Sequence, residues 1–465
     1  MGAARASVRR VFVANRGEIA VRIVDACRKL GFESVIGTST ADRESLGARR
    51  ADRAICIGPA AAAGSYLQMR AIVAAALGTG CDAVHPGYGF LSERAEFQRL
   101  CSEHGLRFVG PSAAAMDAVG DKLNARRIAA TLGIPTVPGT GAIANAEAVL
   151  EFARQCGYPV LLKASAGGGG RGMRVVRAPD EVATAFTNAA SEARAAFGDP
   201  TLFVERFVER ARHIEIQVIA DADGNVVHLG ERDCTTQRRH QKLIEESPSP
   251  VITAETRMRM GEAAVRLARH VRYCSAGTVE FILDGDTGEF YFLEVNARIQ
   301  VEHPVTEMVT GIDLVCEQLN VAFGQSLLFG QDDVAIRGHA IECRINAESP
   351  EREFAPSPGR LAIWQPPAGP HIRVDTHCYP GYFVPPFYDS MVAKLVVHGE
   401  DRDETIRKMV LALSEFDVEG IDTTIPFHKA VLGHSDFRNN RITTRWVEEK
   451  FMNDWRTSAR TGPFQ

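Results

Sequence analysis

The chain has 465 residues, of which 45% are hydrophobic and 24% are charged, and its formal net charge is −5. This length predicts two or three domains rather than one core. The net negative charge argues against general affinity for nucleic acid or for anionic membranes. The sequence lacks a run of about 18 apolar residues, so no membrane-spanning helix is expected. Its ten cysteines show no paired metal-type spacing, which favours reduced thiols and a cytoplasmic location.

The first 110 residues or so alternate predicted strands and helices. A strand is expected at residues 11–14 and a turn at 15–17. A helix follows, because Ile19, Ile23, Ala26 and Cys27 recur at helical spacing before Gly31. This β-α alternation predicts an open parallel sheet. No G-x-G-x-x-G motif follows the first strand, so a dinucleotide-binding role is not expected.

A short apolar run ends in Lys163 and is followed by Ser165, Ala166 and four glycines at 167–170. Glycines without a Cβ atom leave backbone N–H groups free to surround an anion, and the lysine would add a positive charge. A flexible glycine linker is the alternative interpretation. The sequence has no G-x-x-x-x-G-K-[ST] motif, so the phosphate site is not a P-loop.

Residues 278–283 and 289–295 predict a β-hairpin, because both arms are rich in β-branched and aromatic residues around a glycine-containing turn. Glu280 and Glu294 lie on opposite arms. Mg²⁺ in nucleotide sites is commonly held by one or two carboxylates together with substrate phosphates. The pair is therefore a candidate metal clamp, the alternative being two solvated strand charges.

Residues 294–302 alternate strictly between polar and apolar side chains. If the segment is extended, period two places the polar side chains on one face. These are Glu294, Asn296, Arg298, Gln300 and Glu302. A solvated strand face could show the same alternation. The order acid, amide, base, amide, acid favours a site that holds a metal, a small anion and a proton acceptor in a row.

A basic stretch lies between residues 230 and 246 and includes Arg232, Arg238, Arg239, His240 and Lys242. Taken alone, this charge run predicts a solvated loop. Upstream of it, the polar residues at 213, 215 and 217 alternate with apolar ones, which indicates a second strand with one polar face.

Taken together, these segments resemble the biotin carboxylase branch of the ATP-grasp superfamily. The matching strings are ANRGEIA at 14–20, HPGYGFLSE at 85–93, GDK at 120–122, KASAGGGGRGM at 163–173, RDCTTQRRHQK at 232–242, EVNARIQVEHPVTE at 294–307, RINAE at 344–348 and YDSM at 388–391. They span residues 8 to 450 in the order found in the family. A series of this length is far more specific than any one of its motifs.

The resemblance implies a mixed α/β (α+β overall) architecture with an ATP-grasp fold. An N-terminal Rossmann-like pre-ATP-grasp domain is expected at residues 1–115, and the ATP-grasp domain at 116–330 with an inserted lid subdomain at about 136–207. A C-terminal mixed α/β domain is expected at 331–450, followed by a tail at 451–465.

The resemblance also implies a role for each matching residue. ATP would be bound by Lys122, Lys163, Gly169, Gly170, Glu205, Arg206, Phe207, Val208, His213, Gln237 and His240. Mg²⁺ or Mn²⁺ would be bound by Glu280, Glu294 and Asn296. Bicarbonate would be bound by Lys242, Arg298, Gln300, the Val301 backbone and Glu302. The biotin ring would face Tyr88 and Arg344. The catalytic residues would be Lys242, Arg298, Glu302 and Arg344.

The implied reaction is ATP-dependent carboxylation of biotin from bicarbonate, with carboxyphosphate as an intermediate. Biotin is normally attached to lysine in a Met-Lys-Met context, and the nearest candidate, Lys394, lacks the methionines. We therefore expect Lys394 to be structural, and we expect a separate biotin carboxyl carrier protein and separate carboxyltransferase subunits. A homodimer is what the family implies.

Several alternatives remain open from sequence. The final carboxyl acceptor could be acetyl-CoA, which points to fatty-acid synthesis and is our default, or propionyl-CoA, pyruvate or another molecule. Another ATP-grasp ligase, or a silent regulatory subunit that keeps the fold, is also conceivable. The string at 85–93 and Arg344 favour biotin over other ligases, and retention of the charged residues argues against a silent subunit.

Overall fold

The computed structural model describes residues 8–166 and 172–461. The glycines predicted to bind phosphate, including Gly169 and Gly170, lie outside the described residues. No helix in the described part of the chain is both long and apolar enough to cross a membrane.

The first region is an open sheet of five parallel strands in the order β3-β2-β1-β4-β5. Its strands are β1 (Arg10–Val13), β2 (Glu33–Ser39), β3 (Arg53–Gly58), β4 (Ala83–His85) and β5 (Arg107–Phe108), and its helices are α1 (Gly17–Lys29), α2 (Leu46–Arg50), α3 (Met69–Gly78) and α4 (Ala95–Glu103). The predicted parallel sheet is confirmed. Helix α1 buries Ile19, Ile23, Ala26 and Cys27, as their spacing predicted, and Gly31 follows it with φ +70°.

A three-stranded antiparallel sheet, in the order β7-β6-β8, forms the second region. The elements here are α5 (Ala113–Gly120), α6 (Lys122–Thr131), α7 (Ala146–Cys156), β6 (Val160–Ala164), β7 (Met173–Val176), α8 (Val182–Phe197) and β8 (Leu202–Arg206). Val149 of α7 packs with Val160 and Val204 of the sheet in a small separate core. Lys163 lies near the end of β6, where the sequence placed it.

The largest sheet has eight strands, and every neighbouring pair in it is antiparallel. Its strands up to residue 330 are β9 (Ala211–Ala220), β10 (Val226–Arg238), β11 (Gln241–Ser247), β12 (Ser275–Asp284) and β13 (Phe290–Asn296). The helices of the same region are α9 (Ala254–His270), α10 (His303–Thr310) and α11 (Leu314–Ala322). The predicted hairpin is confirmed as β12 and β13, and its register places Glu280 directly opposite Glu294.

The same sheet continues into the C-terminal region through the pairing of β11 with β14 (His339–Asn346). The remaining strands are β15 (Glu348–Ser349), β16 (Ala355–Pro356), β17 (Gly359–Arg360), β18 (Ile363–Gln365), β19 (Ile372–Thr376), β20 (Phe383–Val384), β21 (Met391–Gly399) and β22 (Asp417–Glu419), and the helices are α12 (Arg402–Glu415), α13 (Ile425–Gly433), α14 (Ser435–Arg438) and α15 (Met452–Thr461). The strand order β13-β12-β9-β10-β11-β14-β21-β19 therefore brings side chains from both halves of the chain to one surface.

Two expectations are corrected by this sheet. The basic stretch at 230–246 is not a solvated loop: it forms most of β10 and β11, and Arg232 is fully buried. The extended segment at 294–302 is shorter than expected, because β13 ends at Asn296 and residues 297–302 are irregular.

Phe12 in the middle of β1 is completely buried, whereas Phe387 keeps 54% of its surface exposed. Phe12→Ala should destabilise the protein by about 3–5 kcal/mol, because it removes buried apolar surface and leaves a cavity. Phe387→Ala is the matched control and should change stability by no more than about 0.5 kcal/mol. Denaturant titration of both variants measures the difference, and equal effects would contradict the placement of Phe12 in the core.

Candidate active site

Lys242 on β11 is the centre of a buried charged cluster. Its Nζ atom lies 2.6 Å from Glu215, 3.1 Å from Glu280 and 2.6 Å from Glu302. Burial lowers the pKa of the Lys242 ammonium, but the surrounding carboxylates outweigh that effect and hold the pKa well above its usual value. The lysine is therefore a fixed positive charge inside the site.

Glu302 lies between two cations at the start of α10. One carboxylate oxygen accepts from Lys242, and the other accepts from the Arg344 guanidinium at 2.9 Å. Burial raises the pKa of Glu302, but Lys242 and Arg344 outweigh it, so its pKa lies well below the usual value. Glu302 is therefore ionised at neutral pH, which is the state that a proton acceptor requires.

Arg344 on β14 is also bonded to a second carboxylate. Its Nε donates to Glu245 of β11 at 2.6 Å, because β11 and β14 are neighbours in the sheet. Burial is the main influence on Glu245 and raises its pKa to about 7, although Arg344 acts in the opposite direction. The arginine is thus held by two acidic groups of different proton affinity.

The predicted metal residues lie on the hairpin formed by β12 and β13. Glu280 and Glu294 are directly opposite each other, and opposite residues of an antiparallel pair point to the same face. Glu280 contacts His213 at 3.0 Å, while Glu294 contacts Lys122 of α6 at 2.8 Å. The side-chain nitrogen of Asn296 is buried without a hydrogen-bond partner.

Two other groups of potential metal-ligating side chains lie close to Glu280. His213, Glu215 and Glu280 offer ligand atoms within 4.8 Å of one another, as do Glu215, Cys234 and Glu302. In both groups a lysine or arginine already pairs with the carboxylates, and Glu280 and Glu294 likewise pair with Lys242 and Lys122. The hairpin pair differs in that two carboxylates face each other directly across neighbouring strands.

The irregular segment after β13 still places its polar side chains together. Arg298 donates to Asn296 at 3.0 Å and to Gln300 at 2.8 Å. The Gln300 amide donates in turn to Glu280 at 3.3 Å. Glu93 from the N-terminal region binds Arg298 at 2.9 Å. The polar row predicted from period two therefore converges, although hydrogen bonds rather than a strand hold it.

Predicted ATP residues from the second region form a separate ion-pair group. Lys163 on β6 donates to Glu205 on β8 at 2.6 Å, since these strands are paired. Arg126 of α6 binds the other oxygen of Glu205. Arg206 points to Asp284 at 3.3 Å and to Tyr291 at 3.2 Å. These contacts connect the three-stranded sheet to the β12–β13 hairpin.

The remaining predicted ATP residues are more dispersed. Phe207 lies under the guanidinium of Arg445 at 4.9 Å, and Val208 packs in a small buried cluster. The Gln237 amide donates to the backbone carbonyl of Cys234 at 3.2 Å. His240 is exposed in the turn between β10 and β11, so it lies at the edge of the site rather than inside it.

Tyr88, predicted to face biotin, donates its hydroxyl to Glu18 of α1. Burial raises the pKa of the Tyr88 hydroxyl well above its usual value, and Glu18 raises it further. The tyrosine is thus a neutral hydrogen-bonding group at neutral pH.

Sequence reasoning did not assign roles to several residues that complete the cluster. Arg232 is fully buried and binds Glu215 at 2.5 Å and Gln217 at 2.7 Å. The polar alternation at 213, 215 and 217 was the signal for this, because it marks a strand face that needs cationic partners. Glu245 gave no such signal, as it stands beside Glu246 in an apparently solvated charge run.

Comparison with known proteins agrees with this fold. Three family models match the chain: "Biotin carboxylase, N-terminal domain" at residues 7–116, "Carbamoyl-phosphate synthase L chain, ATP binding domain" at 121–329, and "Biotin carboxylase C-terminal domain" at 342–449. Together they cover most of its length. The chain belongs to the biotin carboxylase family, and its fold is that of an ATP-grasp enzyme.

Individual relatives match over nearly the whole chain. Biotin carboxylase 1 of Bacillus subtilis is 52% identical over 95% of this chain and 98% of its own length. A pyruvate carboxylase subunit of Methanothermobacter thermautotrophicus is 50% identical over 95% of this chain and 89% of its own length.

Two solved structures share the architecture. The biotin carboxylase–βγ-ATP complex from Campylobacter jejuni has a TM-score of 0.92 at 47% identity, covering 95% of this chain and 98% of that one. The second is the biotin carboxylase domain dimer of Hydrogenobacter thermophilus 2-oxoglutarate carboxylase in complex with MgADP, ADP and bicarbonate. It has a TM-score of 0.90 at 44% identity, and the match covers 95% of this chain and 97% of that one.

The pKa of Glu245 generates a test of the electrostatics. The pKa of Glu245 is about 7 in the folded protein and about 4.3 for a glutamate in the unfolded chain. Between these pH values the carboxyl takes up a proton on folding. Its contribution to the free energy of unfolding is therefore greatest at low pH and is lost as the pH rises through 7. Glu245→Gln is uncharged at every pH and should remove this dependence. We expect the melting temperature of the wild type, relative to the variant, to fall between pH 5 and pH 7.5. Parallel melting profiles would contradict a raised pKa at Glu245.

Proposed function

We propose that this chain is a biotin carboxylase that uses ATP and bicarbonate to carboxylate biotin carried on a separate protein. The observation that carries this proposal is the arrangement of Glu302 between Lys242 and Arg344, with a second guanidinium, Arg298, four residues earlier on the same irregular segment. A small anion placed there would meet three cations and one proton acceptor. Family membership and the relatives crystallised with ATP-type ligands and bicarbonate support the same conclusion.

We propose three domains, at residues 1–115, 116–330 and 331–450. ATP would lie between the three-stranded sheet, which carries Lys163 and Glu205, and the β12–β13 hairpin, whose Glu294 contacts Lys122. Lys163 and Lys122 pair with Glu205 and Glu294. Each would turn to the phosphates once nucleotide is present, since a phosphate is a more highly charged partner than one carboxylate.

The residues for a divalent cation fit that role. Glu280 and Glu294 point to one face of the hairpin. Asn296 ends the same strand as Glu294, and its side-chain oxygen, which accepts from Arg298 at 3.0 Å, would be shared with the cation. Mg²⁺ or Mn²⁺ bound there would neutralise negative charge on the transferring phosphate. Oxygen ligands of this kind are those that Mg²⁺ prefers.

Glu302 would remove the proton of bicarbonate, and the resulting oxyanion would attack the γ-phosphorus of ATP, releasing ADP. Lys242, Arg298 and Gln300 would orient bicarbonate, and the lysine would offset charge that develops during phosphoryl transfer. The carboxyphosphate formed would split into CO₂ and phosphate. These steps need a base that is ionised beforehand, which agrees with the lowered pKa of Glu302.

Biotin would react on the Arg344 side of Glu302. The phosphate just released would take the ureido N–H proton, and the ureido nitrogen would form its new bond to CO₂. Arg344 would stabilise the negative oxygen of the enolate, because a guanidinium stays charged and offers a planar set of donors. Tyr88 would contribute a neutral hydrogen-bonding group beside the ring.

The partners follow from the same assignment. Lys394 is fully buried, so it cannot carry biotin, and a biotin carboxyl carrier protein and carboxyltransferase subunits would complete the reaction. We propose a homodimer in the cytoplasm and acetyl-CoA as the final acceptor, hence fatty-acid synthesis. The similarity to a pyruvate carboxylase subunit makes pyruvate the alternative acceptor for the same half-reaction.

The proposal is tested by the dependence of ADP release on each component. We expect full ADP production to require three components together. These are bicarbonate, a divalent cation (Mg²⁺ or Mn²⁺) and biotin, supplied either free or on its carrier protein. Omission of each component and addition of EDTA provide the comparisons. Full turnover without biotin or without a divalent cation would contradict the assignment.

Glu302 and Arg344 act in different steps, so their variants should differ. Glu302→Gln keeps size but removes the base, and it should lower both bicarbonate-dependent ATP cleavage and biotin carboxylation by roughly 10²-fold or more. Arg344→Gln should lower carboxylation far more than bicarbonate-dependent ATP cleavage. Both rates are measured on each variant, with circular dichroism as the test of folding.

The exposed residues Glu103 and Arg407 provide matched controls, because the same changes to Gln there should leave both rates unaltered. Full carboxylation by Glu302→Gln would show that Glu302 is not the base. An unchanged ratio of the two activities in Arg344→Gln would show that Arg344 does not act on biotin.

A further inference from the structure

Lys394 is a lysine with no surface exposure in the middle of β21. Its Nζ atom donates to the backbone carbonyl of Val301 at 2.9 Å and contacts Glu18 of α1 at 3.0 Å and Asp375 of β19 at 3.7 Å. Replacing buried ion pairs by apolar residues is often neutral or even stabilising. Stability alone is therefore a poor reason for a lysine at this position.

The sheet register explains how Lys394 reaches the active site. Lys394 lies directly opposite Arg344 in the pairing of β21 with β14, so both side chains leave the same face of the sheet. Arg344 contacts the Glu302 carboxylate, whereas Lys394 contacts the peptide that joins Val301 to Glu302. Neighbouring strands thus hold the side chain and the backbone of the same glutamate.

The second contact of Lys394 connects this glutamate to the biotin side. Glu18 accepts from Lys394 and from the Tyr88 hydroxyl through the same oxygen, Oε1, while its other oxygen has no hydrogen-bond partner. Asp375 is already bound by Arg373 through both oxygens, at 2.8 and 2.7 Å. Glu18 is therefore the main counter-ion of Lys394.

Residues 297–302 need such an anchor because they are not part of a strand. Their backbone lacks a ladder of sheet hydrogen bonds, and the side-chain bonds of Arg298 and Gln300 fix only the first part of the segment. At the end of the segment Lys242 and Arg344 hold the Glu302 side chain, and the charge-assisted bond from Lys394 holds the backbone carbonyl just before it. An error of about 1 Å at a reacting group can reduce a rate by roughly 10²-fold.

We propose that Lys394 is a positioning residue for the reaction: by holding the Val301 carbonyl it sets the place of the Glu302 carboxylate, and through Glu18 it links that place to Tyr88. This inference rests on the proposed function. It assigns an activity-related role to a lysine that the sequence indicated as merely structural.

The experiment compares wild type and Glu18→Gln with a double variant that also lacks Lys394 and therefore its bond to the Val301 carbonyl. Glu18→Gln changes the unpartnered oxygen to nitrogen and keeps the Oε1 acceptor for Lys394 and Tyr88. Lys394→Met in the Glu18→Gln background removes the lysine charge together with the charge of its main counter-ion, while Asp375 keeps its bonds to Arg373. If that protein does not fold, Lys394→Gln in the same background replaces it, since the glutamine side chain is too short to reach Val301.

The KM for bicarbonate, the KM for ATP and kcat are measured from ADP release with saturating biotin, and melting temperatures are recorded in parallel. We expect kcat/KM for bicarbonate to fall about 10-fold or more in the double variant relative to Glu18→Gln, the scale of one charge-assisted hydrogen bond. The KM for ATP should stay within about twofold, because Lys163 and its partners are unaffected.

A folded double variant whose bicarbonate kinetics match those of Glu18→Gln, with only a lower melting temperature, would overturn the proposal and leave Lys394 a structural residue. Equal increases in the KM for ATP and for bicarbonate would overturn it as well, since they indicate general distortion. Failure of the proposed function is a different result: the wild type itself would show no bicarbonate-dependent ADP release.

Discussion

The structure depends on keeping several charges buried beside one another. Lys242 contacts three carboxylates, and Glu215 and Glu302 among these each bind a second cation as well. Removing one partner from such a group leaves an uncompensated buried charge, which typically costs several kcal/mol. The strands that carry these residues must therefore keep their register. Much of the rest of the fold packs against these strands and holds that register in place.

A long antiparallel sheet is suited to this task. Side chains on adjacent strands are fixed relative to one another by backbone hydrogen bonds, and a shift by one residue would turn every side chain to the opposite face. Glu280 on β12, Lys242 on β11 and Arg344 on β14 come from positions far apart in sequence, yet one continuous sheet holds all three. The apolar sides of the same strands fill two large cores that resist any change of register.

The sequence predicted those parts of the site that depend on local periodicity. The parallel sheet, helix α1 and the hairpin with Glu280 opposite Glu294 follow from short patterns and are confirmed. Arg232 was predicted wrongly, because its burial depends on Glu215, a partner on another strand that no local pattern reveals. The family resemblance, confirmed by the comparisons, supplied the individual site roles, and those roles remain predictions for the experiments to decide.

The end of β13 at Asn296 shows why periodicity alone could not describe the segment that follows. Alternation predicts which side chains share a face only while the backbone is extended, and here Glu93 from the N-terminal region binds both the Ala297 amide and Arg298. Lys394 from the C-terminal region binds the Val301 carbonyl at the other end. The segment is thus held by residues about 200 positions before it and about 90 positions after it. Because each anchor comes from a different region, the geometry of Glu302 forms only when all the regions are assembled, and this ties the chemistry of the site to the integrity of the whole fold.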